Sequence, residues 1–240
     1  MPQGLIQLKD KRTTSDLRLD RIEQFDERSR EYPIYTAPQR LQATARTHGW
    51  KCYPRLDQGR EGSCVGHAVA HCLTSDPLLS KGIDHSYARE KIYWEAQKID
   101  PWAGGAYPGA EPFYEGTSIL AGVKAAKNLG MLDTYEWAFG LDDLKLGVGY
   151  KGPAVLGIRW YQGMFNTDLQ GYIRPTGSVM GGHAIACVGV DTVRNRFELH
   201  NSWGPRWGMT GRCYVTFEDM ARLLSENGEA VFLKRTEKAQ

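Results

Sequence analysis

The sequence predicts an α+β protein, with a helical part first and a sheet part after it. Three observations carry that expectation. The run Cys64-Val65-Gly66-His67-Ala68-Val69-Ala70-His71-Cys72-Leu73 is apolar nearly all round, which suits a buried helix better than an amphipathic surface one. Two further segments, residues 86–98 and 117–129, hold apolar residues near helical spacing. After about Asp143 the pattern changes to short β-branched or aromatic runs separated by turn residues. Helices followed by strands imply two lobes of different type with a cleft between them, the place where a site is expected.

In chain order, residues 1–50 are polar, lack a strong period and contain breakers (Pro33, Pro38, Gly49), so they read as an extension or strap with a short helix within 16–30. The basic residues at the start (Lys9, Lys11, Arg12, Arg18, Arg21) alternate with Asp and Glu, which favours a solvated arm. The first helix spans 63–79 and ends near the Asp76-Pro77 pair. The second, 86–98, carries Tyr87, Ile92, Tyr93 and Ala96 on one side. Residues 100–112 are rich in Gly and Pro and read as a loop, and Gly130 stops the third helix. Strands are expected at 154–158, 184–190, 197–199, 212–217 and 230–233, forming an antiparallel sheet or barrel. The organisation is thus a strap (1–50), a helical lobe (51–143) and a β-rich lobe (144–240) within one domain.

Composition narrows the function. With 240 residues, 41% hydrophobic and 24% charged, the chain can bury a sizeable core. A formal net charge of +2 with no long Lys/Arg block argues against nucleic-acid or membrane-surface partners. No apolar stretch approaches a membrane span and the N-terminus lacks the apolar core of a secretory signal, so a cytoplasmic location is expected. Five cysteines, an odd number, fit that expectation.

Chemistry concentrates in two segments. Gln58-Gly59-Arg60-Glu61-Gly62-Ser63-Cys64 places a glutamine six residues before a thiol at the start of the apolar helix. Gly182-His183-Ala184 leads to His200-Asn201-Ser202-Trp203-Gly204-Pro205-Arg206-Trp207-Gly208. A thiol, an imidazole and an amide in that order are the parts of an activated cysteine nucleophile, its base and the group that orients the base. A thiol of pKa about 8.5 needs help to ionise at neutral pH, and a helix N-terminus or an imidazolium supplies it.

These motifs, with weaker matches from about Trp50 onward, resemble the papain-like cysteine peptidases. The resemblance implies a papain-like fold with the active-site cleft between a helical and a sheet lobe. It implies Cys64 as nucleophile, His183 as base, Asn201 as orienter under a covering Trp203, and Gln58 with the Cys64 N–H as oxyanion donors. By the same resemblance Gly62, Gly116 and Ala184 line the substrate cleft, Trp207 forms a wall on the leaving-group side, and the substrate is a polypeptide. A pro-segment or protein inhibitor is left open. Neither metal nor cofactor is called for. The separation of Cys64 from His183 is shorter than the roughly 130–150 residues usual for the family, which suggests trimmed loops. Glu61 and Phe113 stand where secreted members carry a bridging cysteine pair, so all five cysteines are expected to be free. Val65, His67 and Gly182 depart from the family pattern without removing a chemical group, and they indicate a divergent bacterial- or viral-type member; Glu115 replaces a glycine of the family's cleft and is expected to narrow it.

His67 and His71 are one turn apart beside Cys72, a spacing that can bind zinc, but the apolar helix offers no further ligand nearby and core histidines are the favoured reading. Two other functions remain in view: a cysteine amidase or acyltransferase acting on cell-wall or isopeptide bonds, and a weakly active homologue used as a binding or scaffold protein.

Overall fold

A seven-stranded antiparallel sheet frames the protein, and its central strand explains the arrangement. In the run Val179–Asp191, Ala184, Ala186 and Val188 face one way while Ile185 and Cys187 face the other, and all are buried. A strand apolar on both faces must be covered on both. The computed structural model describes residues 6–14, 16, 18–24, 26–35 and 44–235.

Strands β1 (Ile6–Gln7) and β2 (Thr13–Thr14) form a small hairpin, and β3 (Arg21–Ile22) runs parallel to β5 (Thr117–Ser118). β4 (His48–Gly49) joins the main sheet on its central strand, Val179–Asp191. Helix α1 (Cys64–Thr74) is buried along its whole length, as its all-round apolar sequence requires. The second helical segment winds as a π-helix over Tyr87–Tyr93 before continuing as α2 (Trp94–Ile99). α3 (Ile119–Asn128) is capped by the Ser118 hydroxyl, which accepts from the Ala121 N–H, and stops before Gly130 at φ 71°.

β6 (Thr134–Trp137), α4 (Leu141–Tyr150), β7 (Ala154–Tyr161), β8 (Val179–Asp191), β9 (Arg196–His200), β10 (Arg212–Thr216), α5 (Phe217–Ser225) and β11 (Glu229–Lys234) follow. The sheet order is β10-β9-β8-β7-β11-β6. α1 and α3 cover one face around Val65, Val69, Leu73 and Val155; α4 and α5 cover the other around Leu144, Leu156, Phe197 and Met220.

Three expectations need correction. The basic residues near the start do not all form a solvated arm: Lys11 and Arg12 are exposed, but Lys9 is buried, donating to Asp100 Oδ1 at 2.7 Å and to the Gln97 carbonyl at 2.6 Å, and Arg21 is fully enclosed. The helix expected within 16–30 shrinks to a 3₁₀ turn at Glu27–Glu31, because residues 20–22 are drawn into extended pairing with the rest of the protein. Phe217 leaves the strand and opens α5, since the Thr216 hydroxyl accepts the Asp219 N–H and caps a helix there. Helix α4 was hidden in the sequence by Gly147 and Gly149. A Cβ at position 147 would lie 2.3 Å from the Phe232 ring, so glycine is what lets the helix reach the sheet.

All five cysteines are unpaired and buried. Cys187 pairs across Leu199, which pairs across Cys213, so the two sulfurs stand two strand spacings apart, about 9–10 Å and beyond disulfide reach. A chromogenic thiol count in denaturant without reductant is expected to give five; three or one would contradict the structure.

Candidate active site

The fold brings together the residues nominated by the sequence. Cys64 is the first residue of α1, where unpaired backbone N–H groups and the macrodipole favour a thiolate. His183 lies on β8, and Asn201 follows the end of β9. Asn201 Oδ1 accepts from His183 Nε2 at 2.8 Å and from the Ser202 N–H at 2.9 Å; the second contact fixes the amide with its oxygen toward the ring. Trp203 and Trp160 enclose the imidazole, with ring centroids 5.0 and 4.7 Å away. Trp207 packs 5.4 Å from Trp203 and donates its indole N–H to the Phe165 carbonyl at 2.7 Å. Gln58 is buried; its Oε1 accepts the Ser202 hydroxyl at 2.6 Å, and its amide nitrogen spends one of two hydrogens on the Glu61 carbonyl at 2.8 Å. Cys64, His183, Asn201, Gln58 and Trp203 therefore form one cluster at the junction of α1 and the sheet.

Three residues that sequence reasoning did not place here lie across that cluster: Arg18, Asp20 and Arg21. The Cys64 thiol donates to Asp20 Oδ1 at 2.7 Å while its sulfur accepts the Ala184 N–H at 3.3 Å. His183 Nδ1 faces the Arg18 carbonyl at 3.1 Å, and the Arg18 guanidinium covers Trp203 at 4.2 Å. Neither Cys64 nor His183 hydrogen-bonds the other. No sequence signal marked these three, because a segment that docks in extended form has no helical or strand period of its own to display.

Glycines receive the strap. A Cβ at Gly182 would stand 2.2 Å from the Arg21 carbonyl, and one at Gly116 would stand 2.7 Å from the Asp20 carbonyl. Gly62 abuts Asp20 Cβ and Glu115 Oε2 in the same way. The backbone groups of Gly116 are already used inside the helical lobe, its N–H donating to Tyr93 Oη and its carbonyl accepting from Gln97 Nε2, each at 3.0 Å. Strand pairing in the cleft accordingly falls to Thr117 and Ser118. Glu115, the acidic departure, is buried and accepts from Tyr93 Oη at 3.0 Å.

Electrostatics follow from enclosure. Burial, with Glu115 adding to it, pushes the Asp20 carboxyl up to about 8. Burial and then the neighbouring Asp20 raise the Cys64 thiol well above its usual value. Burial pulls His183 down to about 4 against the opposing hydrogen bond to Asn201. In this arrangement the thiol and the ring are both neutral, and the carboxyl of Asp20 takes the place next to sulfur that an imidazolium would hold.

The histidines considered for zinc have other partners. His67 contacts the Ser63 carbonyl at 2.8 Å and His85 Nδ1 at 2.9 Å, and His71 stacks on His200 at 4.2 Å. Among the described residues no group of three metal-ligating side chains gathers, and no helix is long and apolar enough to cross a membrane.

No family model matches the chain. Solved structures do. Xylellain, a cysteine protease from Xylella fastidiosa, superposes with a TM-score of 0.64 at 17% identity, covering 92% of this chain and 97% of its own. Procathepsin L2 proteinase from Tenebrio molitor gives 0.57 at 19% identity, over 89% of this chain and 77% of its own. The chain has the papain-like fold. In sequence, an uncharacterized peptidase C1-like protein of Acanthamoeba polyphaga mimivirus is 21% identical over 216 residues, 69% of this chain. The chain spans only 42% to 65% of the length of the curated relatives it matches.

Within this papain-like cleft the Asp20 contact sets a pH dependence. The docked carboxyl titrates at about 8 against an ordinary 3.8, so docking takes up a proton between those values. The contribution of the Asp20 contact to strap docking is therefore greatest below about pH 4 and is lost as pH rises to about 8. Alkylation of Cys64 by iodoacetamide, expressed as the ratio of native chain to Asp20→Asn at each pH, should climb through that window and level above it. A flat ratio would remove Asp20 from control of the thiol.

Proposed function

We propose that the protein is a cysteine peptidase that cuts within polypeptides, held latent here by residues 18–22 lying in its cleft. The observation that carries this reading is the His183–Asn201 hydrogen bond sealed beneath Trp203, beside a cysteine that opens a buried helix. In the open state Asp20 withdraws, water and substrate enter, and the thiol proton passes to His183 to give a thiolate–imidazolium pair favoured by the α1 N-terminus. The Cys64 sulfur attacks the scissile carbonyl carbon. The developing oxyanion takes the free Gln58 amide hydrogen and the Cys64 N–H. His183 gives its proton to the departing amine as the C–N bond breaks, then removes a proton from water, which attacks the thioester and releases the acid and the thiol.

A polypeptide substrate is favoured over a cell-wall or isopeptide bond because the cleft already accepts an extended backbone as a parallel partner of β5. A non-catalytic scaffold role has less support, since the thiol, imidazole and amides that the reaction needs lie in one cluster.

Cys64→Ala and His183→Ala should each abolish peptide hydrolysis at about pH 8 while circular dichroism stays native. Gln58→Ala should lower kcat by about a hundredfold to a thousandfold. An epoxysuccinyl inhibitor should add its mass at Cys64. Normal turnover by Cys64→Ala would end this assignment.

A further inference from the structure

His67 is a polar ring with no exposed surface on a helix that is apolar nearly all round, and the proposed chemistry makes no use of it. It stands on the first turn of α1, the turn that Cys64 opens. Gly66 brings it to its partner. A Cβ at Gly66 would stand 2.3 Å from the Ala88 carbonyl, so glycine lets the π-helical segment close on α1. His85, just ahead of that segment, then meets the next residue of α1, with His67 Nε2 and His85 Nδ1 2.9 Å apart.

The two contacts of the His67 ring fix where its hydrogen sits. Nδ1 faces the Ser63 carbonyl at 2.8 Å, and a carbonyl only accepts, so Nδ1 carries hydrogen. Burial holds the ring down to about 4, which keeps it neutral and leaves Nε2 with a bare lone pair. Nε2 therefore accepts, and His85 Nδ1–H donates to it. The bond from His85 selects the tautomer that lets His67 donate to Ser63.

The Ser63 carbonyl shares a planar peptide unit with the Cys64 N–H, the backbone donor proposed for the oxyanion. It already accepts the first helical bond of α1, from the His67 N–H at 3.1 Å. With the ring N–H added, both lone pairs of the oxygen are occupied. Hydrogen bonds in series polarise one another by about 10–30% per bond, so electron density drawn to this oxygen leaves the N–H of the same unit a stronger donor. An apolar ring at position 67 would fill the space and leave the carbonyl with one donor.

We propose that His67 is a positioning residue for acyl transfer: its ring N–H holds and polarises the Ser63–Cys64 peptide so that the Cys64 N–H serves the developing oxyanion, and His85 sets the tautomer of His67. The proposal rests on the peptidase reading and extends it beyond the groups that touch substrate. The effect grows with the charge on the substrate oxygen, so it belongs to the transition state and not to substrate binding. One oxyanion donor is worth about a hundredfold to a thousandfold in rate, and 10–30% of that on a logarithmic scale is about twofold to eightfold.

The test compares two reactions of Cys64 in the full chain at about pH 8. Peptide hydrolysis builds an oxyanion, whereas alkylation by iodoacetamide does not, and the strap gates both alike. His67→Phe should lower kcat by about twofold to eightfold with KM and the alkylation rate unchanged. His67→Asn, whose amide N–H reaches the place of Nδ1, should recover most of the loss. Hydrolysis and alkylation falling in step, an unchanged kcat, or no recovery with asparagine overturns the proposal and leaves the peptidase reading standing. Failure of the unaltered chain both to cut any peptide and to label at Cys64 overturns that reading instead. A readout that depends on no variant folding is the long-range 15N–1H correlation of the unaltered chain labelled at its six histidines. His67 should appear as a neutral ring with hydrogen on Nδ1, and hydrogen on Nε2 would refute the proposal.

Discussion

The contact of the Cys64 thiol with the Asp20 carboxyl organises the state seen here. A thiol and a carboxyl can share one hydrogen bond in a dry site only while both are neutral, because either charge alone would be stranded from water. Everything next to them conforms to that neutrality. His183 is kept from charging by its aromatic enclosure, and Glu115 adds a second carboxyl whose proximity raises the first. The groups that the proposed chemistry needs in ionised form are thus assembled but electrically silent, and withdrawal of one strap residue is enough to change the environment of all of them.

Close approach is the second constraint. A strap can lie on sulfur and imidazole only if the cleft walls lack side chains where its carbonyls pass, and Gly62, Gly116 and Gly182 supply those gaps. This gives a physical reason for Gly182 immediately before the histidine, a departure that the sequence alone left unexplained. Glu115 has a different one: its carboxylate is held by Tyr93, whose hydroxyl also receives Gln97 and the Gly116 N–H, so the acidic side chain locks the turn that carries Gly116 into the helical lobe.

Much of the fold was legible because it rests on strong periodicity: α1 is apolar all round, and the core strands are β-branched. The cluster of Cys64, His183, Asn201 and Gln58 was legible because its neighbours are distinctive local motifs. What escaped had no local signature. Helix α4 carries two glycines whose value is tertiary, and Asp20 and Arg21 sit in a polar stretch that is shaped only by the cleft it enters. Glu229 lies just outside the strand expected at 230–233, and its place is fixed only by pairing with Gly157 on the strand beside that of the histidine.

The two strap residues that grip the cleft hold it in opposite electrical ways. Asp20 docks well only when it carries a proton, so rising pH works against it. Arg21 docks as a permanent cation against the Glu229 carboxyl, which burial raises above its ordinary value, so its hold is weakest at acid pH and strengthens as pH rises. A strap gripped by a proton-dependent contact at the sulfur and a charge-dependent contact beside it does not have to leave as one piece. Above the titration of Asp20 the contact over Cys64 loosens while the Arg21–Glu229 pair remains an anchor.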